Sequence, residues 1–245
     1  MDLQFEHADS LKARLSDSLI DAQMLSEDQL ARLVSILTDV NAEAAERERM
    51  LCALAPIREI ADKNEERDQS IYGVQSIAEE LSTSADEYAS TFEQKLLRFD
   101  FSPTDAKQTA IEYYAFIERE NSLMSSLASL SDDASELYEK YETALESINF
   151  LLCDERLFDI SARLKGECFQ NSDVPNVLHT LRAAIGESIR RIANAMTLSS
   201  DLSDAYARFT IESEPLIMSK APSVKKIGTA VMKYASSLHR AINKT

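Results

Sequence analysis

The chain has 245 residues, 44% of them hydrophobic and 28% charged, and a formal net charge of −16; so apolar a composition is that of a chain that folds and buries a core. Its four glycines and five prolines stand against about 17 and 12 at average usage, which excludes a fold rich in tight turns, because such turns draw on the positive φ of Gly and the preset φ of Pro. The acidic excess excludes a general phosphate-binding surface, which needs neutralising cations, and no nucleic-acid partner is expected.

Strong helix formers fill most of the sequence, and no sustained stretch alternates with the period of two that a half-buried strand requires. The expectation is an all-α chain with more than about two-thirds of its residues helical, against the usual third. Cys52, Cys153 and Cys168 are odd in number and widely spaced, which argues against a disulfide framework and fits a reducing compartment. The first residues lack the basic and apolar regions of a signal peptide. The longest purely apolar run, 50–57, falls far short of a membrane span. A cytoplasmic location with no transmembrane segment is expected.

In chain order, residues 1–25 carry a short apolar pattern (Leu11, Leu15, Leu19, Ala22, Leu25) and are taken as an amphipathic N-terminal segment; 26–245 are taken as one helical-bundle domain. Ser26 followed by Gln29 forms a capping box and predicts a helix start. The apolar line then runs Leu30, Leu33, Leu37, Val40, Ala44. Pro56 should kink that helix by removing one backbone donor. Residues 62–70 are nearly all polar and Gly73 follows, which predicts a break or solvated turn near 66–72. The pattern resumes at Val74, Ile77, Leu81, Ala85, Tyr88, Phe92, Leu96 and Phe99.

Ser102, Pro103 and Asp105 each suit their position at a helix start: N-cap, first helical residue, first-turn acid. The helix that follows predicts a core line through Ile117, Met124, Leu127, Ala134, Tyr138, Tyr141, Leu145, Ile148 and Leu152, whose last six positions alternate four and three like a coiled-coil seam. A second boundary lies at 166–175. Beyond it Leu178, Leu181, Ile185, Ile192, Met196, Leu202, Tyr206 and Phe209 form the next line, Pro215 and Pro222 punctuate, and Val224, Ile227, Val231, Tyr234, Leu238 and Ile242 form the last. Residues 27–99, 103–166 and 175–243 are of similar length. The architecture predicted is an elongated antiparallel bundle of long, partly kinked amphipathic helices: three long ones, or five to six if the chain also breaks near 66–72 and 215–222.

The search for chemistry finds no enzyme. His7, His179 and His239 lie far apart, none in Glu-x-x-His, and no Cys or His has zinc spacing. Asp132, Asp133 and Glu136 resemble, over five residues, the magnesium-diphosphate patch of all-α prenyl and terpene enzymes. That resemblance would imply a metal, whereas acids after Ser131 suit a helix start or an exposed helix face. There is no Gly-x-Ser-x-Gly turn, phosphate-cradling glycine loop or dinucleotide fingerprint. Cys52 and Cys153 sit in apolar runs, where buried structural cysteine is the rule. Tyr113, Tyr114, Tyr138 and Tyr141, at helical spacing, read as core. No catalytic, metal or cofactor site is expected.

The charge is unevenly placed. Residues 215–245 hold six bases and no acid, +6, which leaves −22 on residues 1–214. In a basic amphipathic helix there, Lys225, Lys226, Lys233 and Arg240 with the apolar Ile227 and Val231 are the candidate contacts to a partner or a membrane, or else the helix folds back on the acidic body. The function expected is a non-enzymatic helical scaffold or adaptor, acting through protein partners and self-association. The alternative, on three long proline-kinked helices of matched length, resembles the dimeric BAR architecture and implies peripheral membrane contact. The acidic body weighs against that alternative, since a lipid-binding face should be rich in Lys and Arg.

Overall fold

The structure is a computed structural model in which residues 44–97, 103–153, 174–219 and 223–244 are described. About 95% of them are helical, in five helices with no strand among them: α1 (Ala44–Ala61), α2 (Asn64–Leu97), α3 (Pro103–Leu152), α4 (Val174–Ile217) and α5 (Val224–Ile242). The chain is an all-α bundle. No helix among the described residues is long and apolar enough to cross a membrane. The proposed segment 1–25, the capping box at Ser26, Phe99, the Ser102 cap and Cys168 lie outside the described residues.

The helices fall into two compact units. In the second, Glu66–Leu137 and Arg191–Thr245 so far as they are described, the pairings fix the topology. Lys95 binds Glu112, Tyr88 stacks on Phe116 at 4.5 Å, and Ser70 donates to the Leu130 carbonyl at 3.2 Å. Positions fall along α2 as they rise along α3, so the two run antiparallel. Phe116–Phe209 and Tyr206–Asn121 set α4 antiparallel to α3, and Lys233–Glu212 and Lys244–Asp201 set α5 antiparallel to α4. His239 beside Asp86 brings α5 against α2. This is an up-down-up-down four-helix bundle. The first unit, 44–65, 138–153 and 174–190 so far as described, takes α1, the end of α3 and the start of α4. There Tyr141 donates to Asn64 Oδ1 at 3.1 Å, and Lys140 reaches Glu59 at 3.9 Å.

Long helices follow from the scarcity of breakers. Pro56 is accommodated inside α1 and Pro215 inside the last turn of α4. Each lacks the N–H that would bond four residues back, and α4 ends two residues after its proline. Pro103 opens α3, as its fixed φ and missing donor favour.

Of the two further breaks expected, one is corrected and one holds. The break expected near 66–72 is absent: α2 runs unbroken through it, and the interruption is the short turn at Asp62–Lys63. From Asn64 on the polar run is helical, and its side chains find partners. Asn64 Nδ2 donates to Ala61 O, Arg67 holds Asp68 by two hydrogen bonds, and buried Ser70 bonds Leu130. Gly73 is a close approach, since a Cβ there would lie 2.8 Å from Leu130 Cδ1. The expected break near 215–222 does occur, between Ile217 and Val224, and with the turn at 62–63 it divides the described residues into five helices.

The core lines hold at most positions and shift at some. From position 134 on, α3 buries Ala134, Leu137, Tyr141, Ala144, Ile148 and Leu151, while the expected Tyr138, Leu145 and Leu152, like Ile117 and Met124 before them, are only half-buried. The stripe keeps its centre but turns toward the i+3 side of each heptad. On α4 half-buried Met196 yields to Ala195 and Leu198. Cys52 and Cys153 are free and exposed, not buried in their apolar runs, because those runs wrap the helix circumference and it is other positions, among them Leu54, Ile57 and Leu151, that face inward.

Candidate interaction surface

The interior of the four-helix unit is built on aromatic side chains. Tyr88, Tyr113, Phe116, Tyr206, Phe209 and Tyr234 form a chain of ring contacts, with Phe209 stacked on Tyr234 at 4.6 Å and 15°. Their hydroxyls need partners when buried. Tyr113 donates to Ser213 Oγ, Tyr206 to Asn121 Oδ1 at 2.9 Å, and Tyr234 to Glu120 Oε2 at 2.7 Å. The Tyr88 hydroxyl and Glu120 Oε1 are buried without a hydrogen-bond partner. Burial pushes Tyr113 and Tyr206 up to about 12, and raises Tyr88 and Tyr234 further.

Glu120 is the residue that sequence reasoning missed. It occupies the α3 core line between Phe116 and Leu127 and is 0% exposed. A search for apolar side chains at helical spacing steps over a glutamate. The signal that could have found it is the spacing itself: Thr109, Tyr113, Phe116, Glu120, Leu127 and Ala134 are the buried positions, and the period makes position 120 inward whatever stands there. Burial raises the Glu120 carboxyl above its ordinary value, while the Tyr234 and Ser84 hydroxyls and the Arg119 charge pull the other way.

The six candidate contact residues on α5 divide by chemistry. Ile227 and Val231 are both 0% exposed, seated in the interior of the four-helix unit. Lys225, Lys226, Lys233 and Arg240 are exposed. Lys233 lies 3.4 Å from Glu212, and Arg240 Nε donates to the Ser236 carbonyl in its own helix. The tail thus folds onto its own acidic neighbours, with Lys244 and His239 closing on Asp201 and Asp86. Asp132, Asp133 and Glu136 lie exposed in mid-α3; the helix-start reading of that cluster fails and the exposed-face reading stands. Among the described residues no three His, Cys, Asp or Glu side chains converge as a metal site requires.

Two clefts open on the four-helix unit. One, about 390 Å³, lies between α2 and α4 and is lined by both polar and apolar groups, among them Tyr72, Gln75, Arg191 and Asn194. The other, about 260 Å³, lies between α3 and α4, with Tyr113, Ile117, Tyr206 and Ile217 in its walls and Tyr114 and Met218 at its rim. Tyr114 and Met218 are 49% and 74% exposed. Pockets for drug-sized ligands run from about 300 to 1,000 Å³, so the second cleft suits a side chain better than a substrate. No family model, no curated protein and no solved structure matches the chain.

Proposed function

We propose that this protein is a non-enzymatic helical scaffold that binds protein partners, or a second copy of itself, through the exposed flanks of its long helices. The heptad-like seam of α3 cannot serve as the docking face, because Tyr141, Ile148 and Leu151 are already buried within the chain. Lone exposed apolar residues are normal on any surface. Two of them, Tyr114 and Met218, flank an apolar cleft, and that observation carries the proposal: interface hot spots are aromatic or thioether side chains beside small desolvated pockets.

The test is association measured with and without that rim. Wild type, Tyr114→Asp and Met218→Asp are compared by sedimentation velocity at tens of micromolar and by capture of partners. Weaker self-association or partner capture in both variants, with helicity unchanged, is the expected result. If both variants sediment and capture partners as wild type does, the cleft is not a docking site. Liposome sedimentation of the same proteins separates the membrane-binding alternative, which predicts lipid association that these substitutions leave intact.

A further inference from the structure

One buried carboxyl group meets three other helices of the four-helix unit. Glu120 of α3 faces Tyr234 of α5, whose hydroxyl it accepts at 2.7 Å. It also faces the buried Ser84 of α2 and Tyr206 of α4. Tyr206 spends its own hydrogen on Asn121. A cation acting on the carboxyl is Arg119 of its own helix, whose residue is exposed, and no salt bridge reaches Glu120 among the described residues. Its second oxygen has no hydrogen bond of normal length, and the Ser84 hydroxyl, the nearby donor, favours the carboxylate less than Tyr234 does. The other polar links of α5 (Lys233–Glu212, Lys244–Asp201, and His239 beside Asp86) all sit at the solvent rim.

We propose that Glu120 is a proton-operated latch on α5: the neutral acid lets the helix stay seated, and the carboxylate loosens it. The Tyr234 hydrogen bond exists in both states and is stronger to the carboxylate. What ionisation adds is a charge in the interior with one oxygen short of a hydrogen bond of normal length, a costly arrangement without a paired cation. Water can reach that charge if α5 lifts, so ionisation favours local opening over the closed bundle. Because burial raises the acid above its ordinary 4.5, the closed state holds the proton more tightly than the open one. Closure is therefore strongest below about pH 4.5 and is lost as pH rises through the raised value. The opening frees a helix carrying Lys225, Lys226, Lys233 and Arg240. That the released helix then meets a partner rests on the scaffold reading; the opening itself does not.

The experiment is hydrogen exchange of α5 amides in the full chain, from about pH 5 to pH 8, corrected for intrinsic exchange rates; one titrating proton gives at most roughly a tenfold change in opening per pH unit. Wild-type α5 is expected to lose protection as pH rises, and Glu120→Gln to flatten that dependence. Tyr234→Phe should move its midpoint to higher pH, since the lost bond favoured the carboxylate. His239→Gln should leave the remaining slope in place, which separates the latch from the rim pair with Asp86. A wild-type slope retained in Glu120→Gln, or an equal slope in α2, α4 and α5, overturns the latch and assigns the effect to relief of net charge. Neither outcome bears on the Tyr114–Met218 cleft.

Discussion

Tyr113 of α3 donates its phenol hydrogen to Ser213 Oγ of α4, and Ser213 passes its own hydrogen to the Phe209 carbonyl at 2.7 Å. Both side chains are almost wholly buried. The relay is asymmetric. Without the phenol, Ser213 still has Phe209; without the serine, the phenol has nothing. Ser213→Ala should therefore cost about 1–3 kcal/mol, the penalty of a buried unsatisfied donor, and Tyr113→Phe only about 0.5–1.5 kcal/mol. Urea midpoints of the two variants decide it, and equal losses would mean that the ring packing, not the relay, holds α3 to α4.

Two glycines inside helices, Gly186 and Gly73, predict opposite behaviour. Gly186 in α4 has nothing within 4 Å of a built Cβ. Gly186→Ala should gain most of the helix-propensity difference, about 0.8–1 kcal/mol, which raises Tm by roughly 2–4 °C for a chain of this size. At Gly73 the same methyl group meets Leu130 at 2.8 Å. Leu130 is half-buried and its Cδ atoms end a flexible side chain, so it can yield. The overpacking still offsets most of the propensity gain. Gly73→Ala should thus leave Tm near wild type, and thermal unfolding that ranks it above Gly186→Ala would show that Leu130 moves aside freely.

How far the sequence revealed this fold can be judged at these positions. Helix type, the start at Pro103 and the break after Pro215 were legible because each rests on backbone chemistry that a residue carries with it. Gly73 was misplaced as a breaker because sequence shows its flexibility and not the neighbour, Leu130, that needs its missing side chain. The polar run 62–70 does hold a turn, at 62–63, but the rest of it is helical for a similar reason: Asn64 and Ser70 look solvated until Tyr141 and Leu130 are seen to bind them. Cys52 and Cys153 lie in stretches apolar on every side, where composition cannot say which side faces in. The cleft beside Tyr114 depends on two helices about a hundred residues apart in sequence, and periodicity within one helix carries no trace of it.

The final prediction concerns α5, where charge and apolar packing can be weighed against each other. Its apolar face is buried, with Ile227, Val231 and Leu238 at 0% exposed, and each such side chain contributes about 1.5–3 kcal/mol on leaving water. Its ion pairs are surface pairs: Lys233 is 67% exposed and its partner Glu212 53%, and pairs of that kind are worth about 0–1 kcal/mol. Reversing Lys225, Lys226 and Lys233 to Glu should therefore weaken the seating of α5 modestly and make it less salt-sensitive, since screening then has less attraction to remove. Ile227→Asp with Val231→Asp should unseat the helix, because it removes two core side chains and places two unpaired carboxylates where they stood. Limited proteolysis of the junction before Val224, run at low and high salt, reads both effects. If charge reversal exposes that junction more than the double aspartate does, α5 is held by the acidic surface and not by its apolar face.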